Sequence, residues 1–231
     1  MTSANFTSSD RVRGLPHEGN SARDQSTLDQ HARLGMRAQV DALKRRRILE
    51  EAKRLFFAQG YRGTTMEAIA TALEMGKPFL YRHFRNKLEL LVELYDEAIA
   101  LSEEALDAAL AHGRDETDII RIFVEHYLHV VIHEREIVAV FFRENVNVPP
   151  AELARIDEHK RVFDRKLRAV IQRGIESGRF TVSDARLAAY AIIGMVNWSY
   201  QWFRENGPLT TAEIGKVFSQ YAIRILTAPN Q

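Results

Sequence analysis

A chain of 231 residues with 45% hydrophobic content and a net charge of +1 can bury a substantial core in one or two domains. It contains no cysteine, which excludes disulfides, thiolate catalysis and most structural zinc sites. No run reaches the roughly 18 apolar residues of a membrane span and the first residues lack a secretory pattern, so a cytoplasmic protein with no membrane partner is expected. The small net charge hides an asymmetry: up to Leu90 there are 16 basic and 10 acidic residues, and after it 16 basic and 21 acidic. A segment at +6 joined to one at −5 fits a phosphate-binding head on a body that need not touch DNA.

Residues 1–38 are rich in Gly, Pro, Ser, Asp and Gln and show no sustained apolar period, so they are expected to form a disordered tail with a mild basic bias. From Asp41 to Gln59 the apolar positions Ile48, Ala52, Leu55 and Phe56 recur at helical spacing, with Gly60 as the stop. Lys44, Arg45, Arg46 and Arg47 lie near the start of this helix, where positive charge opposes the helix dipole and a phosphate partner would explain it.

Residues 64–87, TTMEAIATALEMGKPFLYRHFRNK, read as a short helix, a tight turn and a second helix. Thr64 and Glu67 have capping-box spacing, and Met66, Ile69, Ala70 and Leu73 form the apolar face of a helix over about 65–73. Glu74, Met75 and Gly76 make the break, with Glu74 expected in a left-handed conformation, and Pro78 suits the first turn of the next helix. On that second helix Leu80, Tyr81 and Phe84 are expected to point inward, leaving Lys77, Phe79, Arg82 and His83 to reach bases or phosphates in a major groove, with Lys87 as a further phosphate partner. The full set of candidate DNA contacts is Arg45, Arg46, Thr64, Thr65, Lys77, Pro78, Phe79, Tyr81, Arg82, His83 and Lys87.

A longer helix over about 88–111 connects head to body, followed by helices at about 117–133, 135–145, 150–177, 183–205 and 210–227. Asn147-Pro149-Pro150, Ser177-Gly178 and Asn206-Gly207-Pro208 separate them, and Thr210 with Glu213 repeats the capping-box spacing. Ile214, Val217, Phe218, Tyr221 and Ile225 form an apolar stripe on the last helix, and the aromatic density of this half suits both a core and an interface or pocket. His126, His129 and His133 lack both a general-base Glu between them and a reachable third ligand, so no metal site is expected.

The run Ile69, Ala70, Met75, Leu80, Tyr81, His83, Phe84 and Lys87 resembles the signature of the TetR family of one-component repressors, from which Glu74, Gly76 and Phe79 depart. The resemblance implies an all-α fold: an N-terminal three-helix helix-turn-helix DNA-binding domain over 39–87 and a C-terminal helical ligand-binding and dimerisation domain over 88–231. It also implies a homodimer through the last two helices, on double-stranded operator DNA. Gly174, Gly178, Phe180, Asp184, Gly194, Asn197, Trp198, Trp202 and Gly207-Pro208 resemble a narrower branch that responds to acyl-CoA thioesters and controls fatty-acid, steroid or aromatic-acid degradation. That branch implies a small lipophilic effector held by Phe123, Tyr127, Phe142, Phe163, Gly194, Met195, Asn197 and Trp198, with Arg143 or a nearby cation meeting CoA phosphates.

The expected function is therefore a repressor released from its operator by an acyl-CoA ester, with no cofactor. A multidrug-responsive efflux repressor is the alternative. An enzyme acting on CoA esters is disfavoured, because no nucleophile elbow, Gly-rich phosphate loop or paired catalytic carboxylates stand at a recognisable spacing.

Overall fold

The computed structural model describes residues 21–144 and 148–228, and among them every regular element is a helix. The chain divides into two compact units, Met1–Arg46 and Arg47–Gln231. In the first, the described residues belong to α1 (Ser21–Gly63), whose later turns enter the second unit. Of the tail expected over 1–38, residues 21–38 lie in α1, while residues 1–20 lie outside the described residues. The stretch carries Ala22, Gln25, Leu28, Gln30, Ala32 and Arg33 with no proline, and helix propensity of that kind acts locally.

Within the second unit, α1 buries Ile48, Ala52, Leu55 and Phe56, the spacing that the sequence shows. Its path breaks at Gly60, where φ is +76°, a backbone conformation that favours glycine. The break leaves carbonyls to satisfy, and the fully buried Thr64 meets them, its hydroxyl lying 3.1 Å from Leu55 O and 2.9 Å from Gly60 O. The cap of α2 (Met66–Ala72) therefore falls one residue later than the capping-box spacing predicts. Thr65, not Thr64, accepts a hydrogen bond from the Ala68 N–H at 3.1 Å.

Glu74 takes the left-handed conformation expected of it, with φ 54°, and α3 (Lys77–His83) begins with Pro78 in its first turn. Asn86 caps α4 (Lys87–His112) by accepting from the Glu89 N–H at 2.9 Å. The first turns of α4 bury Leu90, Leu91, Leu94 and Tyr95 in the same core as Ile48, Phe56, Ile69, Leu80 and Phe84. Its last turns bury Leu106 and Ala109 in a second core.

That second core is built around α5 (Glu116–His133), which packs against α4, α7 (Pro150–Glu176), α8 (Ala185–Asn197) and α10 (Thr211–Thr227). Between α5 and α7 the chain forms α6 (Arg135–Glu144). The helix expected over 183–205 is interrupted at Trp198 and resumes as the short α9 (Ser199–Trp202). The Trp198 N–H is shared between Gly194 O and Val196 O, which tightens the turn, and Phe203 then leaves the helix to enter the core.

Two of the family-like positions have local reasons. A Cβ at Gly174 would collide with the Phe180 ring, and Gly178 sits at φ +74° just beyond α7. Asp184 accepts from the N–H groups of Leu187 and Arg186, which hold its carboxyl below the usual range. Thr210 and Glu213 form the predicted reciprocal capping box at the start of α10. Among the described residues no helix is long and apolar enough to cross a membrane.

Candidate nucleic-acid interface and effector cavity

The recognition candidate α3 is anchored by Leu80, fully buried, and followed by Phe84, which is 1% exposed. Tyr81, expected to point inward, instead stands 45% exposed beside Lys77, Pro78 and Arg82. The difference follows from geometry, because Leu80 and Phe84 are one turn apart and fill the core side of so short a helix. Lys77 pairs with Glu67 at 3.3 Å, and Arg82 lies over the Phe79 ring at 4.8 Å, so both cations are held above the helix surface. Glu67 is held below the usual carboxylate range by its own backbone N–H and by Lys77.

Phe79 and His83 are less outward than expected. Their rings meet at 4.8 Å and both residues are half-buried, with Phe79 against the head core. Thr65 is exposed at the start of α2, whereas the hydroxyl of Thr64 is consumed inside the head. Lys87 is also turned inward: its ammonium donates to Tyr61 O at 2.8 Å and Thr64 O at 3.1 Å and lies 4.3 Å from the Tyr61 ring. It closes the carbonyl end of α1, where a cation complements the helix dipole, and does not project as a phosphate partner. Arg45 and Arg46 belong to the other unit, on α1, half-buried and exposed respectively.

A cavity of about 640 Å³ lies in the body and is walled by residues from α4 through α9. Of the candidate effector contacts, Tyr127, Phe142, Phe163, Gly194, Asn197 and Trp198 line it. Phe123, Met195 and Arg143 do not. Phe123 is fully buried behind the wall, stacked on Tyr127 at 5.2 Å, and Met195 packs against the body core. Arg143 reaches the head instead, donating to Phe57 O at 3.2 Å and lying 5.5 Å from the Phe57 ring. The cation that lines the cavity is Lys160, whose ammonium sits 5.2 Å from the Phe141 ring.

The wall also includes residues that sequence reasoning missed, among them Tyr95, Ile99, Glu134, Ile137, Asp164 and Tyr200. Lys160 and Asp164 stand one helical turn apart, with Lys160 three residues before Phe163, a signal present in the sequence; the others had none, because their neighbours come from distant segments. Tyr127 donates to Asn197 Oδ1 at 2.7 Å, and burial pushes its phenol pKa up. Burial likewise raises Asp164, partly offset by the charges of Lys160 and Arg168.

Two features join this cavity to the head. Tyr95, Ala98, Ile99 and Ser102 on α4 form part of its wall, beginning at Tyr95 about 12 Å along the same helix from Lys87. Glu134, also in the wall, accepts from Lys53 on α1 at 2.9 Å, with only 13% and 16% of the two side chains exposed. Burial disfavours the Lys53 charge, but its bonds to Glu50 and Glu134 outweigh that and raise its pKa.

The stripe expected on the last helix divides. Ile214 is buried in the body core, Phe218 and Ile225 are half-buried, and Val217 and Tyr221 are exposed. Leu187, Tyr190, Trp198 and Trp202 are exposed on α8, α9 and the turn between them. His129 and His133 stack at 6.0 Å, and among the described residues no group of three metal-ligating side chains gathers.

Comparison with known proteins gives a consistent result. The family described as bacterial regulatory proteins, tetR family, matches residues 48–94, and the tetracyclin repressor-like C-terminal domain matches residues 113–226. The HTH-type transcriptional repressor KstR2 of Mycobacterium tuberculosis is 25% identical over 184 residues, which cover 76% of this chain and 88% of that protein. The crystal structure of the TetR-family regulator PfmR from Thermus thermophilus superposes with a TM-score of 0.71 at 29% identity, covering 79% of this chain and 99% of that one. The structure of AibR in complex with isovaleryl coenzyme A and operator DNA is similar at TM-score 0.68 and 28% identity, over 80% and 99% of the two chains.

Proposed function

From the premise that this chain belongs to the TetR family of transcriptional regulators, we propose that it is a homodimeric repressor released from operator DNA by a small lipophilic effector, an acyl-CoA thioester. The observation that carries this reading is α4, one continuous helix whose first turns lie in the head core and whose middle turns wall the cavity. A ligand that displaces Tyr95, Ile99 or Ser102 tilts the helix on which the head is seated. Two recognition helices of a dimer must meet half-sites about 34 Å apart, so a tilt of each head breaks the match. The effector shifts the population only as far as it prefers the DNA-incompetent state.

Lys77, Pro78, Tyr81 and Arg82 are the proposed groove contacts, with Thr65 and the Arg45–Arg46 pair on the phosphates. The exposed apolar side chains of α8, α9 and α10, namely Leu187, Trp198, Trp202, Val217 and Tyr221, are the proposed subunit contact, aromatic-rich as such faces are. Support for a thioester comes from the AibR complex and from the apolar, aromatic wall, with Lys160 supplying the cation expected of Arg143.

A multidrug-responsive regulator is a second reading, favoured by the Glu134 and Asp164 carboxylates in the wall. Glu134 is already neutralised by Lys53, which leaves one carboxylate opposed by Lys160. Binding of the purified protein to its own upstream DNA at fixed salt, with and without acyl-CoA esters of graded chain length and with tetraphenylphosphonium, separates the two. Release by one chain-length class is the expected result. Release by the lipophilic cation alone replaces the thioester reading with the second one.

A further inference from the structure

Resting on the reading of this cavity as an effector site, we infer that it selects an effector bearing a hydroxyl group, held between the Asn197 amide and the Asp164 carboxylate. Apart from Ser102, Glu134 and Lys160 the rest of the wall is mostly aromatic and aliphatic, so each polar group in it needs a partner to offset its desolvation. Tyr127 uses its one proton on Asn197 Oδ1 at 2.7 Å. That bond occupies the acceptor of the amide, fixes its orientation and leaves the two N–H donors of Asn197 with no partner among the described residues.

Asp164 stands on the same wall, next to Phe163, whose ring lies 5.7 Å from that of Tyr127. Among the described residues no group donates a hydrogen bond to its carboxylate and no cation forms an ion pair with it; Lys160 pairs with Asp157 instead, at 3.5 Å. The carboxylate, the Tyr127 phenol and the Asn197 amide all line the one cavity. The wall thus presents donors and an acceptor to one largely apolar chamber. A hydroxyl satisfies both, accepting from the amide and donating to the carboxylate. A carbonyl satisfies only the amide, an ammonium only the carboxylate, and a plain alkyl chain neither.

Trp198 in the wall supplies a fluorescence readout for the full-length protein. The ligands are decanoyl-CoA with its 3-hydroxy and 10-hydroxy forms, and the coenzyme-free pair biphenyl and 4-phenylphenol. In at least one set the hydroxylated form binds about tenfold tighter than its parent, the value of one buried charge-assisted hydrogen bond. Asn197→Leu and Asp164→Leu, each checked for an unchanged melting profile, both bring that ratio close to unity. If either variant fails to melt like the parent, Asp164→Asn, which retains the shape, takes its place and must still weaken the preference. Equal binding of hydroxylated and parent forms in both sets, a preference that survives either substitution, or no binding by any of the five overturns the inference. Binding of the CoA esters with no preference in either set sinks the hydroxyl alone, whereas a preference in the coenzyme-free pair with no binding of the CoA esters keeps it and removes the thioester.

Discussion

In the head, the outward chemistry of Lys77, Tyr81 and Arg82 comes from the seven residues of α3, whereas the cavity of the body draws its wall from six helices between Tyr95 and Tyr200. The first is a surface, set by which side of one short helix the core takes. The second is a space, set by how several helices fail to fill the volume between them. Local motifs therefore describe the head well and the body poorly. Lys53 and Glu134 are the point where the contrast breaks down, since one belongs to the head helix and the other to the cavity wall.

The largest expected effect lies at that point. Lys53→Met strands a buried carboxylate and should cost about 3 kcal/mol of folding stability, measured by denaturant unfolding. Glu134→Gln should cost less, because Lys53 keeps Glu50 at 2.9 Å. Both variants should narrow the difference in DNA affinity between ligand-free and ligand-bound protein. Two substitutions of equal cost with an unaltered ligand response would leave the head and the cavity without this link.

The contrast is sharpened by a purely superficial change in the head. Arg82→Ala should weaken operator binding roughly 10- to 100-fold, the worth of one groove contact, while the melting temperature and the effector affinity stay as they were. A matching loss of stability would place Arg82 in the scaffold and not on the reading surface.

The smallest effects concern two adjacent threonines. Thr64→Val keeps the shape and removes the buried hydroxyl from Leu55 O and Gly60 O, costing about 1 to 3 kcal/mol. Thr65→Ala removes the cap of α2, costing about 1 kcal/mol. Thermal unfolding of the pair should show the buried residue dominating; the reverse order would return the cap to Thr64.

Much of the head was legible because its signals are local. The period of Ile48, Ala52, Leu55 and Phe56, the left-handed Glu74 and the early Pro78 each depend on a few neighbouring residues. Two departures there share one cause, the kink at Gly60, whose exposed carbonyls drew in Thr64 and whose end drew in Lys87, both of which looked free to meet phosphate. In the body, six of the nine effector candidates reached the wall, because large aromatic residues on inward faces tend to meet. Arg143 was misplaced because charge in a sequence carries no direction, and the carbonyl of Phe57 lies on the opposite side of α6 from the cavity contacts.

By itself the sequence determined an all-helical chain, the order and approximate limits of its helices, and a helix-turn-helix head of positive charge, since periodicity, capping and turn chemistry act over a few residues. Only the tertiary structure decided which polar groups share the cavity, which cation lines it and which ion pair ties it to the head. Those are contacts between residues as far as 81 positions apart, fixed by how the helices pack and not by anything nearby in the chain.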